Sequence, residues 1–159
     1  MRRALLAGCV LAAMSTVASA APQVTLQSAW MRPAPEGAQS ARIYVDIKSD
    51  AAVTLEGAST PVAKQVEIVR VGTIGDASTE KVVKKLAVPK GATTRLAYLG
   101  DHLRLVHLTQ TVNNGIPVPV KLRFVDAKGK RFEVGTDVVV RGIAVLPNAP
   151  PDAPATKPN

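Results

Sequence analysis

The sequence has little of the chemistry on which many enzymes and extracellular modules depend. It contains one cysteine, two histidines and one tryptophan among 159 residues. The cysteine, Cys9, lies in an N-terminal segment that we expect to be removed, which would leave no disulfide and no thiolate ligand. Neither histidine has an evident acid or serine partner, and the glycines form no phosphate-binding loop. We therefore predict that the protein is not an enzyme.

Aromatic residues and clustered positive charge are also scarce, which argues against nucleic-acid binding. The net charge is +8, but the lysines and arginines are scattered and pairs such as Lys84-Lys85 are the longest basic runs. Aromatic residues make up only 3% of the chain, so no platform for stacked bases is evident. We predict no nucleic-acid partner. The positive charge suits an anionic envelope surface or an acidic protein partner better.

The first twenty residues have the pattern of a secretory signal peptide. Arg2 and Arg3 form a short positive region, an apolar run extends to Met14, and Ala18-Ser19-Ala20 resembles a small-residue cleavage site. Cys9 follows residues typical of a lipoprotein signal, but the apolar segment before it is too short, so cleavage after Ala20 is favoured. The apolar run is also too short to span a membrane, and we expect no integral membrane segment in the mature chain.

Removal of residues 1–20 defines the predicted organisation of the mature protein. Residues 21–146 are expected to form one domain, with a net charge lowered from +8 to +6 by the loss of Arg2 and Arg3. Residues 147–159 are rich in proline and are predicted to be a disordered tail. The mature protein is expected to be a monomer in the periplasm.

Short alternating segments predict an all-β domain. Residues 66–71 alternate cleanly, and residues 118–125 and 131–140 predict a hairpin joined by a polar turn. Seven to nine strands at intervals of roughly ten residues favour a sandwich or a small barrel. Only residues 60–65 could form a helical turn. Further strands are predicted at residues 41–47, 53–55, 80–86, 87–88, 93–96 and 102–108, and the expected core members are Trp30, Tyr44, Leu103, Leu105, Leu122 and Phe124.

Several segments together resemble the periplasmic copper chaperones called PCu(A)C. Ala29-Trp30-Met31-Arg32 resembles the alanine-tryptophan-x-arginine opening of that family, and Gly100-Asp101-His102-Leu103 is similar to its final metal strand. Residues 86–91 are similar to its apolar-proline-glycine turn. The matching segments occur in the same order and span about residues 24–140. The resemblance implies a cupredoxin-like Greek-key β-sandwich or barrel that binds copper.

The metal ligands are where this sequence departs from the family pattern. The family binds copper through two histidines and two methionines. With His102 aligned to the third ligand, Val69, Glu80 and Arg104 occupy the first, second and fourth ligand positions. Cu(I) prefers thioether and imidazole donors, so His102 alone remains as a candidate copper ligand. We predict that Glu80 and Arg104 form an ion pair, which could include His102, where the family holds its metal.

The other histidine and the remaining methionine do not restore a copper site. His107 lies five residues after His102, so on an unbroken strand it would face the other way, towards the core side occupied by Leu103 and Leu105. Met31, the only methionine after the predicted signal peptide, is expected to be a packing residue.

Three functions remain open at the level of sequence. In the first, the protein is a periplasmic copper-binding or copper chaperone-like protein with an altered or weakened site, which would serve a cuproprotein. In the second, it is a metal-free module that contacts an envelope protein through its basic surface. In the third, it is a structural domain without a small ligand. The first is favoured because the resemblance spans the whole predicted domain.

Overall fold

The computed structural model describes residues 21–74 and 77–142. The predicted signal peptide, the predicted tail and residues 143–146 of the predicted domain lie outside the described residues. All regular structure in the described ranges is β, which confirms the predicted class, and no helix there is long and apolar enough to cross a membrane. The ten strands are β1 (Val24–Met31), β2 (Ser40–Ser49), β3 (Val53–Ser59), β4 (Ala63–Ile74), β5 (Ala77–Val83), β6 (Leu86–Val88), β7 (Thr93–Leu96), β8 (His102–Leu108), β9 (Val118–Asp126) and β10 (Arg131–Val140).

The sequence pattern predicted most strands correctly. It was wrong about a segment whose structure depends on pairing with a strand distant in sequence. β7, β8 and β10 have the predicted bounds, and β9 and β10 form the predicted hairpin, with Phe132 opposite Phe124. The predicted count of seven to nine strands is too low. The helical turn expected at residues 60–65 is wrong, because β4 begins at Ala63 and pairs from there with Leu108 of β8.

The strands form one continuous sheet that folds over to enclose the core. Its order is β5-β4-β8-β2-β1-β10-β9-β3-β6, and β7 pairs with β2. We call β5, β4, β8, β2, β1 and β7 the first half and β10, β9, β3 and β6 the second half. The halves are joined where β1 and β10 run parallel, with Trp30 opposite Val139 and Met31 opposite Val140. Every other ladder between named strands is antiparallel.

The main core lies between the two halves and consists of aliphatic side chains and Phe124. Alternation along each strand directs every second residue inward, as in β9, where Val118, Val120, Leu122 and Phe124 are buried. The first half contributes a matching set, and Met31 packs in this core as expected. Other members from the first half are Ile43, Val45, Ile47, Ile68, Leu103 and Leu105.

All six predicted core residues are buried, but two of them are outside the main core. Trp30 and Tyr44 lie next to Met31 and Ile43, whose side chains face inward, so strand alternation places both aromatic rings on the opposite face of the first half. We call this face, which points away from the main core, the outer face. Its buried side chains form a second cluster, and the candidate metal position belongs to it.

Candidate metal site and its surroundings

His102 is buried on the outer face at the start of β8. Only 1% of its surface is exposed, and its ring lies 6.4 Å from that of Tyr44, measured between centroids. Because His102 follows a turn, the sequence also allows an ordinary surface histidine as the alternative to a copper ligand. This alternative is wrong, because β4 and β2 flank β8 and their side chains enclose the imidazole.

The two ring nitrogens of His102 have different surroundings. Nδ1 lies 2.9 Å from the carbonyl oxygen of Gly100. A carbonyl can only accept, so this bond requires the proton on Nδ1 and leaves the lone pair of a neutral ring on Nε2. Nε2 is buried and has no hydrogen-bond partner among the described residues. Histidines that bind metals typically have this arrangement, in which the other ring nitrogen donates to a backbone carbonyl.

The turn before β8 fixes the carbonyl that orients His102. The backbone N–H of Gly100 donates to the oxygen of Ala97, and the N–H of Ala97 donates to the oxygen of Asp101. The Asp101 carboxylate accepts a 2.9 Å bond from the N–H of Val71 and pairs with Arg70, which ties the turn to β4. His102 is therefore held by a short, closed network, and its orientation does not depend on a ligand.

The three residues that the sequence resemblance aligns with the other ligand positions, Val69, Glu80 and Arg104, offer no soft donor. Val69 is directly opposite His102 in the β4–β8 ladder and is fully buried. Arg104 follows on the same face of β8. Residues 21–74 and 77–142 contain no group of three or more His, Cys, Asp or Glu side chains that could hold a metal ion.

Arg104 forms its shortest ion pair with Glu67, which is not one of the aligned ligand positions. Its Nε and Nη2 atoms lie 3.0 and 2.7 Å from one carboxylate oxygen of Glu67, which is opposite Arg104 in β4. The predicted pair with Glu80 also forms but is longer, at 3.5 Å. His102 does not take part in either pair. Glu67 could have been found from the sequence, because it lies two residues before Val69 on the same strand and must share its face.

Glu80 is better paired with Arg42 of β2. One carboxylate oxygen of Glu80 lies 2.8 Å from Arg42, and the other contacts Arg104. Arg42 and Arg104 are opposite each other in the β2–β8 ladder, and Glu80 offsets the repulsion between these like charges. Because β4 and β8 lie between β5 and β2, the bond from Glu80 to Arg42 crosses over both strands. The outer face around His102 is thus covered by a network of Glu67, Arg104, Glu80 and Arg42.

His107 does not belong to this network. The expectation that its side chain faces the core is wrong. Its side chain is exposed, and its backbone has a φ of 56°, in the left-handed region. The backbone N–H groups of His107 and Leu108 both donate to the oxygen of Gln39, at 3.0 and 3.5 Å. This irregularity interrupts the alternation of β8, so the odd spacing from His102 does not determine the direction of the side chain.

An aromatic cluster continues the buried part of the outer face beyond His102. The rings of Trp30 and Tyr44 are 4.6 Å apart, and Tyr98 meets Tyr44 edge-on at 5.8 Å. Burial raises the pKa of the Tyr44 phenol above its usual 10.0, and the nearby Arg42 and Arg32 only partly counter this. The Tyr44 hydroxyl is therefore protonated at neutral pH and is available as a hydrogen-bond donor.

Solved structures with the same architecture define the class of domain to which this fold corresponds. The copper-bound PCuAC domain from PmoF2 is 21% identical with a TM-score of 0.57, and covers 74% of this chain and 91% of its own. The apo PCuAC domain from PmoF1 is 18% identical with a TM-score of 0.59, over 74% and 92%. The apo form of DR1885 from Deinococcus radiodurans is 25% identical with a TM-score of 0.54, over 89% and 97%. The predicted cupredoxin-like fold of the PCu(A)C type is confirmed.

The family of the chain follows from its sequence. Residues 24–136 match the family model described as "Putative lipoprotein LpqE-like". This match covers most of the chain, which therefore belongs to the LpqE-like family. No protein in a comparison with curated sequences matches.

Proposed function

We propose that this protein is an envelope copper-binding protein of the chaperone type, with a site reduced to one preorganised imidazole. The observation that carries the proposal is the state of His102, whose Nε2 lone pair is buried and unpartnered while Nδ1 is fixed by Gly100. A buried polar atom without a partner costs stability, about 1–3 kcal/mol, so its retention suggests a role outside the fold itself. The similarity to a PCuAC domain whose structure is copper-bound makes copper the metal to test.

The remaining ligand positions predict that binding is weak. Val69 has no donor atom, and the guanidinium of Arg104 would repel a bound cation. Glu67 and Glu80 are hard oxygen donors that suit Cu(I) poorly, and both already pair with arginines. Copper would also have to displace part of the ion-pair network to reach the imidazole. We therefore propose that the protein holds copper as a loosely bound cargo for a cuproprotein partner and performs no catalysis.

Titration with Cu(I) and Cu(II) of the purified protein tests this function. The His102→Ala variant is expected to lose at least about tenfold in affinity, equivalent to about 1.4 kcal/mol. His107→Ala is the matched control, because His107 is an exposed histidine on the same strand. Its affinity for copper should remain within about twofold of the unmodified protein.

The titration also separates the two leading functions. If the loss follows His107 instead of His102, or if neither variant differs from the unmodified protein, the copper function is contradicted and a metal-free envelope module takes its place. The variant Arg104→Met tests the same site by an expected gain in copper affinity. It removes a cation and supplies a thioether two residues from His102, so we expect Cu(I) to bind at least about tenfold more tightly.

The proposed location is the cell envelope, reached through the signal peptide of residues 1–20. The family description as a lipoprotein supports export and also raises the alternative of lipid attachment at Cys9. We propose cleavage after Ala20, with residues 21–146 as the domain and residues 147–159 as its tail. Mass spectrometry of the mature protein distinguishes the two processes, because cleavage leaves Ala21 as the first residue, whereas lipidation leaves an acylated Cys9.

A further inference from the structure

A small cavity opens beside the aromatic cluster, on the side away from β4. Its volume is about 240 Å3, and its walls include Arg32, Arg42, Tyr44 and Tyr98, with the segment around Pro33 and Pro35 on one side. Arg32 donates a 3.4 Å hydrogen bond to the Tyr98 hydroxyl across the opening. No acidic residue lines this cavity among the described residues. Arg42 pairs with Glu80, which lies outside the cavity, whereas Arg32 and the phenols provide hydrogen-bond donors here without a matching anion.

Two arginines at this end differ from most others in the protein. Arg42, Arg70, Arg95, Arg104 and Arg131 each pair with a carboxylate. In contrast, Arg32 and Arg141 have no ion pair with any residue of the described ranges 21–74 and 77–142.

Arg141 lies against the same aromatic cluster. Its guanidinium carbon is 5.3 Å from the centre of the Trp30 ring, and its Nε is buried without a hydrogen-bond partner among the described residues. A cation stacked on an aromatic face is stabilised by the ring and keeps its full charge, so Arg141 adds positive charge beside the cluster although its buried Nε is not open to a ligand. Unsatisfied positive charge is therefore concentrated around Trp30 and Tyr44.

The size and the rim of the cavity indicate what it would bind. A volume of about 240 Å3 is below the range of 300 Å3 and more that drug-sized ligands and cofactors usually occupy. It suits one planar carboxylate, which a guanidinium can bind with two parallel hydrogen bonds. Tyr98, in the cavity wall, is 36% exposed, and its neighbour in sequence, Leu99, is 86% exposed, which provides apolar contact area beside the cavity. This combination of arginine, tyrosine and tryptophan is typical of the central residues of protein interfaces.

We propose that this cavity receives an aspartate or glutamate side chain from an acidic segment of a partner protein. Arg32 would bind the carboxylate, the Tyr44 hydroxyl would donate to it, and Tyr98 and Leu99 would contact the flanking residues. Arg42 would stay paired with Glu80 and form part of the cavity wall. The site uses the outer face but does not use the nitrogen of His102, so it does not depend on copper binding. A failed copper titration leaves this proposal untouched, and the reverse also holds.

Binding of a short acidic peptide tests the proposal. The probe is a capped peptide of two glutamates flanked by alanines, and the readouts are calorimetry and the fluorescence of Trp30, the only tryptophan. We expect Arg32→Gln to weaken binding at least about tenfold. Arg123→Gln is the matched control, because Arg123 also has no ion pair with the described residues but lies on β9 in the second half of the sheet. It removes the same charge and should change affinity less than about twofold.

Four further results would overturn or support the assignment. Equal losses in Arg32→Gln and Arg123→Gln would show attraction by net charge alone and overturn it, as would equal binding of the peptide in which glutamine replaces glutamate. Acetate or inorganic phosphate that binds as tightly as the peptide would overturn the protein segment as the source of the anion. Partial recovery by Arg32→Lys, which keeps the charge but not the planar fork, would support a bidentate carboxylate site.

Discussion

The two faces of β8 show how differently the two sides of this sheet are built. On the inner face, Leu103 and Leu105 are fully buried among aliphatic side chains of both halves. On the outer face, His102 and Arg104 alternate with them, one with an unpartnered nitrogen and the other between two carboxylates. The inner face stabilises the folded protein through buried apolar contact area, which many different apolar residues could provide. The outer face depends on specific pairs, and it contains the buried, unpartnered Nε2 of His102.

The largest effect is expected from the inner face. Phe124→Ala should lower the free energy of unfolding by about 3–5 kcal/mol, because the ring is fully buried and its removal leaves a cavity in the main core. Urea unfolding measures this loss. Phe132→Ala is a useful control, since Phe132 stacks on Phe124 but is only partly buried, and should cost clearly less. Equal losses would mean that the two halves do not pack as tightly as the burial of Phe124 indicates.

Within the outer face, the ion pair of Glu67 should contribute more than that of Glu80. Glu67→Gln keeps the shape of the side chain but removes its charge, and we expect a loss of about 1 kcal/mol in the free energy of unfolding. Glu80→Gln should cost about half as much, because its carboxyl side chain is 34% exposed, compared with 19% for Glu67. Urea unfolding in low and high salt measures both losses, which should shrink as salt increases. The opposite ranking would mean that the two pairs of Glu80, with Arg42 and Arg104, together outweigh the single pair of Glu67.

Replacement of His102 by leucine should change the free energy of unfolding only slightly, and any change should be stabilising. The change removes the bond to Gly100 but also removes the buried, unpartnered Nε2, so the unfolding free energy should stay constant or rise by up to about 1 kcal/mol. Residues kept for function rather than stability behave in this way. A loss above about 2 kcal/mol would identify His102 as a structural residue and weaken the proposed copper function.

The smallest effect concerns Tyr44 and appears only in alkaline solution. Because burial raises the pKa of its phenol above 10.0, the unfolded chain loses this proton first as the pH rises. The stabilisation is complete below pH 10.0 and is lost as the pH rises through the higher pKa of the folded protein. Unfolding measured on either side of this pH should show a shallower decline for Tyr44→Phe than for the unmodified protein. Identical slopes would show that the hydroxyl is in contact with water.

The sequence predicted the inner face better than the outer face for a physical reason. Alternation in β8 and β9 needs only local information, so it places Leu103 with Leu105 on one face, and Leu122 with Phe124 on another, although periodicity alone does not decide which face of β9 is buried. The burial of His102 depends on which strands flank β8, and the bond between Arg42 and Glu80 joins residues 38 positions apart. Local patterns do not determine such pairings. The ion pair between Glu80 and Arg104 was predicted from the family alignment, and its stronger competitors, Glu67 and Arg42, were missed.

The irregular backbone at His107 illustrates the same limit. The odd spacing between the two histidines predicted opposite directions on a regular strand, but two successive N–H groups share one carbonyl at this point. A residue in the left-handed region redirects its side chain and leaves no mark in the hydrophobic pattern. Its consequence for the proposed function is favourable, because an exposed His107 provides the control histidine that the copper titration needs.

The parallel pairing of β1 with β10 has a consequence for how the protein matures. The first strand, β1, pairs with β2 on one side and with β10, the last strand, on the other. The contact with β10 joins the two halves through Trp30 and Met31. Closure between segments so distant in sequence slows folding, because much chain entropy must be lost before the contact forms. A nascent chain therefore cannot complete this fold until β10 has been synthesised. Such a delay would favour passage across a membrane in an unfolded form, with the final shape adopted only after export.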